Sequence, residues 1–185
     1  ERKLCPPPVP TGVSSKNERK IYCRFDNIEQ IPEKIDADLI FVPLGSENIG
    51  FGVEIPHGMF GNAEKVEKML IDSPADICLC HTLDAVAVAK KCKKKIVASP
   101  SLNVFNSLSM DVVKNLRISE VIVSNECTVE NFKKMSAPVP KGITAYGKIP
   151  LMLTRNCPVK NGKTCAECRR QSEITDRMGI SFPVR

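Results

Sequence analysis

An α/β fold of parallel βα units is predicted, arranged either as a (β/α) barrel or as a doubly wound sheet. Seven short apolar runs, beginning near Ile21, Leu39, Val53, Ile77, Ile96, Val121 and Ile143, alternate with helical patterns at roughly 15–25-residue spacing. The apolar residues come in continuous runs, as in Leu39-Ile40-Phe41-Val42-Pro43, which is the pattern of strands covered on both faces. No Gly-x-Gly-x-x-Gly follows the first run and no Walker A sequence occurs, so nothing argues for a nucleotide site.

Residues 1–19 are rich in Pro, Ser and Lys, as in Pro6-Pro7-Pro8-Val9-Pro10, and read as a linker or extended arm. Ile21 to Phe25 is the first strand, and Asn27 to Lys34 a short helix or turn interrupted at Pro32. Leu39 to Pro43 is the second strand and Val53-Glu54-Ile55-Pro56 the third, with an abbreviated connection at Gly45 to Gly52. Asn62 is placed to cap a helix that carries Ala63, Val66, Met69 and Leu70 along one face. Ile77 to Cys80 is the fourth strand, followed by a helix over Leu83 to Lys91. Lys93-Lys94-Lys95 lies at its C-terminal side, where cations suit the helix dipole. Ile96 to Ala98 is the fifth strand and Met110 to Leu116 is helical. Val121 to Val123 is the sixth strand, Thr128 caps a helix to Met135, and Ile143 to Tyr146 is the seventh strand.

A chain of 185 residues with 42% hydrophobic content can bury a core of its own. Tryptophan is absent and aromatics are 5%, so aliphatic side chains must fill that core. Against 21 acidic residues stand 27 basic ones, a net charge of +6 that permits an anionic partner such as RNA without demanding one. No apolar run approaches the ~20 residues needed to cross a membrane, and no signal peptide is visible. Nine cysteines is an odd number, and Cys23, Cys78 and Cys80 sit inside apolar strands, as reduced cytoplasmic thiols do. The chain begins at Glu1 without an initiator Met and reads as a piece of a longer protein with further domains.

In an α/β barrel the working residues lie at the C-terminal ends of the strands. That rule nominates Arg24 and Asp26, His81, Ser101, Asn103 and Asn106, then Ser124, Asn125 and Glu126, and finally Tyr146. Asn103, Asn106, Glu126 and Tyr146 are taken as the catalytic candidates, although Asn and Ser are also ordinary turn and cap residues. His81 is one of only two histidines. With Cys80 beside it and Cys78 near, it is a candidate metal ligand, but adjacent residues on a strand point to opposite faces, so Cys80 and His81 rarely serve one ion. His57, in Pro56-His57-Gly58, reads as a turn residue. No His-Glu-x-x-His or Gly-x-Ser-x-Gly occurs, and no Cys–His pair is evident, so the residues themselves show no hydrolytic machinery.

The remaining candidate is a cysteine cluster. Cys157, Cys165 and Cys168 are spaced C-x7-C-x2-C, and thiolates three apart on a turn can face one ion, with a third from an adjoining loop. Arg155, Lys160, Lys163, Arg169 and Arg170 surround them, and positive charge favours thiolate. The stretch Tyr146-Gly147-Lys148-Ile149-Pro150-Leu151-Met152 leads to Arg155-Asn156-Cys157-Pro158, then to Cys165-Ala166-Glu167-Cys168 and Asp176-Arg177-Met178-Gly179 before Phe182-Pro183-Val184. As a set, with Leu102 to Ser107 upstream, these motifs resemble the peptidase U32 family, the collagenase-like proteins, over about residues 20–185.

The resemblance implies a compact or incomplete TIM-like (β/α) barrel over residues 20–153 and a cysteine-containing C-terminal segment over 154–185. It implies a collagenase-like protease, or alternatively an iron–sulfur-dependent, oxygen-independent hydroxylase acting on rRNA or tRNA. A third reading, from the cysteines alone, is a non-catalytic barrel with a structural zinc. In the hydroxylase reading Cys157, Cys165 and Cys168 are ligands of a 4Fe–4S cluster, converging at the barrel mouth near Asn103 and Glu126. Three departures from the commoner family pattern stand out: Tyr146 replaces a His, Pro150 a cysteine, and Asn125 an Arg. The fourth ligand is then expected beyond Arg185, so the chain as given should carry no cluster and its Cys157 to Cys168 segment should be irregular.

Overall fold

The computed structural model describes residues 19–47, 49–158, 164 and 172–184. The chain divides into two compact units, Glu1–Lys148 and Ile149–Arg185. The expectation for the Pro-rich arm falls almost entirely on residues 1–18, outside the described residues.

The first unit carries β1 (Tyr22–Arg24), β2 (Leu39–Pro43), β3 (Gly52–Glu54), α1 (Ala63–Asp72), β4 (Ile77–Cys80), α2 (Leu83–Lys91), β5 (Lys95–Ala98), α3 (Ser107–Asn115), β6 (Glu120–Ile122), α4 (Val129–Lys134) and β7 (Lys141–Gly142). Its seven strands are all parallel and lie in the sheet in sequence order. A doubly wound sheet reverses its strand order at a switch point; this one does not, which decides between the two predicted arrangements in favour of a barrel-type winding.

The sheet is strongly curled. In a flat sheet five spacings of about 4.8 Å, roughly 24 Å, would separate β1 from β6. Instead the Tyr22 hydroxyl on β1 donates to Glu120 Oε2 at the start of β6 at 2.5 Å, and Lys20 approaches the same carboxylate at 3.7 Å. The result is an incomplete barrel.

Side chains alternate between two cores, as the period of two requires. Phe41, Leu79 and Val97 fill the concave side with Tyr22, Leu39, Ile77 and Ile122. Val53, Cys78, Cys80, Ile96, Ala98 and Val121 face the helices, packing on Val66 and Leu70 of α1, Ala85, Val86 and Ala89 of α2, and Met110 and Val113 of α3. Gly52 is required on the concave side: a Cβ there would stand 2.6 Å from the Phe41 ring and 3.1 Å from Ile77.

The helices start where capping residues allow. Thr82 accepts from the Ala85 amide at the head of α2, Thr128 from Asn131 at α4, and Asn106 forms a capping box with Ser109 at α3. Asn62 makes no side-chain cap on α1, contrary to expectation. It follows Phe60 and Gly61, both at positive φ, and its own amide closes a turn onto Met59. The segment after β1 contracts to a 3₁₀ turn, Ile28–Gln30, held by a capping box between Asn27 and Gln30.

The seventh strand is displaced from its predicted place. Expected at Ile143 to Tyr146, it forms at Lys141–Gly142, with Val121 opposite Lys141 and Ile122 opposite Gly142. The Lys141 amine is held by the carbonyls of Phe132 and Met135 at the end of α4 and lies 4.5 Å from the Phe132 ring centre. That anchor sets the register, and the β-branched run that follows is left beyond the ladder.

In the second unit β8 (Ser172–Thr175) pairs antiparallel with β9 (Ser181–Val184). Asp176 Oδ1 accepts from the amides of Met178 and Ile180 at 2.8 and 2.9 Å, and Gly179 takes φ +80°. The Asp-Arg-x-Gly motif is thus a hairpin turn, with Asp as the side-chain acceptor and Gly in the left-handed position.

Among the described residues no helix is long and apolar enough to cross a membrane.

Candidate active site at the barrel mouth

Residues of one parity on β1, β3 and β4 line the concave side, and their last members reach the C-terminal rim. These are Arg24, two residues on from Tyr22; Glu54, two on from Gly52; and His81, two on from Leu79. Arg24 and His81 converge on the Glu54 carboxylate. His81 Nε2 donates to Oε1 at 2.7 Å, and Arg24 Nε donates to Oε2 at 2.8 Å. His57, on the loop after β3, places Nε2 3.5 Å from Oε1. Its ring stacks on His81 with centroids 3.5 Å apart and planes 19° from parallel. The Arg24 guanidinium also pairs with Asp26 at 2.7 Å.

Exposure grades outward through the cluster. Glu54 and His81 are buried, His57 is 27% exposed and Arg24 is 42% exposed. Burial pushes the Glu54 carboxyl up, but hydrogen bonds from His57, His81 and Arg24, with the Arg24 charge, outweigh it and hold the group well below the usual carboxylate range. Burial pushes His81 down, against the hydrogen bond to Glu54, so its neutral form is favoured. An ionised Glu54 can only accept, so the His81 proton sits on Nε2. Nδ1 is then a buried acceptor with no hydrogen-bond partner among the described residues.

Of the residues nominated from sequence, Arg24, Asp26 and His81 are brought together here. Among the described residues no hydrogen bond or ion pair links Asn103, Asn106, Glu126 or Tyr146 to this cluster. Asn103 closes the 3₁₀ turn Pro100–Leu102 in a left-handed conformation, its amide donating to the Pro100 carbonyl. Asn106 caps α3. Glu126 is exposed, with its amide on Ser124 Oγ. Tyr146, expected at the end of the seventh strand, stands beyond the displaced β7 and is fully exposed.

Cys157 is a free, exposed thiol of the second unit. Cys165 and Cys168 lie outside the described residues. The predicted convergence of the three cysteines near Asn103 and Glu126 therefore falls partly on those residues.

Glu54 and His57 were missed by sequence reasoning. The signal for Glu54 was a lone carboxylate ending an otherwise apolar strand, in the parity of Gly52. For His57 it was the i, i+3 spacing from that carboxylate. A comparison with protein-family models, with curated proteins and with solved structures finds no match to this chain.

Proposed function

We propose that this chain is an enzyme domain of the peptidase U32 kind, a reduced TIM-like barrel that hydrolyses peptide bonds at its C-terminal rim. The observation that carries the reading is the convergence of His57, His81 and Arg24 on one ionised, buried carboxylate. Peptide hydrolysis needs a base for water, a donor for the departing amine and a positive charge for the developing oxyanion. His57, the more accessible imidazole, takes a proton from water as its oxygen bonds to the carbonyl carbon. Glu54 stabilises the imidazolium through Nε2, in the role a carboxylate plays behind a catalytic histidine. The same proton passes to the amine nitrogen as the C–N bond breaks. Arg24 faces the oxyanion, and His81, too buried to reach substrate, fixes the Glu54 rotamer.

The test is cleavage of denatured collagen by the purified protein. His57→Asn should lower the rate at least about 100-fold, the scale of a lost general base, while leaving the folded fraction unchanged. Cleavage that persists in His57→Asn would overturn the assignment.

A second reading rests on a different observation: Cys157 is free and exposed, and two more cysteines follow within eleven residues of it. In this reading the chain is the barrel portion of an iron–sulfur hydroxylase acting on rRNA or tRNA. Cys157, Cys165 and Cys168 would hold the cluster, which would supply electron transfer. Reconstituting the chain with iron and sulfide, beside a Cys157→Ser/Cys165→Ser/Cys168→Ser variant, and assaying iron and acid-labile sulfide tests it. Iron content no higher than that of the variant counts against it.

A further inference from the structure

We propose that Glu54, His57 and His81 form a binding site for one divalent transition-metal cation of the zinc class. Each side chain presents one ligand atom, and the three atoms lie within 4.8 Å of one another. Two imidazole nitrogens and one carboxylate oxygen suit zinc and its transition-metal neighbours, whereas calcium and magnesium take oxygen ligands. Three protein ligands leave a fourth position open, the arrangement of a catalytic rather than a structural zinc.

The distances are close to what such an ion requires. With bonds of 2.0–2.2 Å, tetrahedral ligand atoms stand about 3.3–3.5 Å apart. His57 Nε2 and Glu54 Oε1 are already at 3.5 Å. His81 Nε2 and Oε1, now joined through a proton at 2.7 Å, must open by roughly 0.6–0.8 Å to meet the same geometry. The ion therefore takes the place of the proton that Glu54 and His81 share. The stacked rings present nearly parallel faces, so His57 must turn to direct its lone pair at the ion. It lies on a loop and is partly exposed, whereas His81 is packed. Arg24 occupies Oε2 and so reserves Oε1 for the metal, the ligand-orienting role of an outer partner. Its positive charge opposes a dication, and Asp26, 2.7 Å from the same guanidinium, offsets it. His81 Nδ1 has no acceptor to orient it, which predicts affinity about 10–100-fold weaker than at a site with that outer contact.

This inference does not rest on the hydrolytic reading, which is metal-free and keeps His57 as a base rather than a ligand; it stands on the geometry of the three side chains and is read by binding. Both histidines of the chain belong to the site, so imidazole signals in a ¹⁵N–¹H spectrum report it directly in the unaltered protein. One equivalent of zinc is expected to shift both sets. Unmoved signals at that stoichiometry overturn the proposal.

Because cysteines also bind zinc, a second arm uses cobalt(II) with a Cys157→Ser/Cys165→Ser/Cys168→Ser variant. One equivalent bound without thiolate charge-transfer absorption, and weakened more than about 100-fold by adding His57→Asn, supports the site. Binding that vanishes with the three cysteines and is indifferent to His57→Asn overturns it. Zinc binding at the histidines leaves the metal site standing whatever the outcome of the collagen assay, and absence of cleavage by the metal-free protein removes the hydrolytic reading alone.

Discussion

Replacing Glu54 by Gln removes one charge and almost no volume, and so tests whether this carboxylate organises the barrel mouth. In the folded protein it accepts two short bonds, from His81 at 2.7 Å and Arg24 at 2.8 Å, and lies near His57 at 3.5 Å. Hydrogen bonds to charged groups contribute about 1.5–3 kcal/mol, against 0.5–1.5 for neutral ones. Downgrading the His81 bond to a neutral one costs about 1–1.5 kcal/mol, and losing the ion pair with the partly exposed Arg24, which still donates as a cation, costs about 0.2–1 kcal/mol. The Gln amide also cannot satisfy both partners as the carboxylate does. Its oxygen serves one, and its NH₂ meets the Nε2–H of His81, forcing that ring to the tautomer whose Nδ1–H is buried without an acceptor. Arg24 keeps Asp26 and is not stranded.

The expected loss at pH 7 is therefore about 2–3 kcal/mol, or roughly 4–12 °C in Tm for a chain of this size. The pH dependence adds a second signature. The Glu54 carboxyl is depressed in the folded state, so its contribution is present above its ordinary value near 4.5 and is lost as pH falls below it. His81, also depressed, takes up its proton more readily in the unfolded chain, so stability declines as pH falls through its ordinary value of 6.5. Urea unfolding at pH 7.5, 5.5 and 4 reads both. The unaltered protein should lose stability across the whole interval, and Glu54→Gln should flatten the part below 4.5. A variant within about 0.5 kcal/mol of the parent at pH 7.5, with an unchanged acid limb, would refute the reasoning.

Two further outcomes follow from the curled sheet. Gly52→Ala drives a methyl to 2.6 Å from Phe41 and should cost about 1–3 kcal/mol through overpacking, measured by denaturant midpoint. Restoring space with Phe41→Leu should recover part of that loss; no recovery would mean that the concave core is not filled by this ring. Tyr22→Phe deletes the bond from β1 to Glu120 and should cost about 1–2 kcal/mol, with hydrogen exchange faster in β1 than in β4. Unchanged exchange in β1 would argue against the curl.

The sequence by itself determined the alternation of strands and helices, because local pattern carries it. Continuous apolar runs such as Leu39 to Pro43 and Ile77 to Cys80 became strands, and Thr82 and Thr128 stood where helices begin. It also supplied Arg24, Asp26 and His81 as rim residues, since strand ends are local features. What it left open was settled by contacts between distant residues. Barrel-type winding over a doubly wound sheet was decided by which strands pair, and the curl by Tyr22 reaching Glu120 ninety-eight positions along the chain. The Lys141 anchor overrode the β-branched preference of Ile143-Thr144 because two carbonyls and a ring hold its amine. The same holds at the mouth. Glu54 and His57 looked like a strand residue and a turn residue because their chemistry arises only when β1, β3 and β4 bring a guanidinium and a second imidazole to one carboxylate, and burial then fixes its charge.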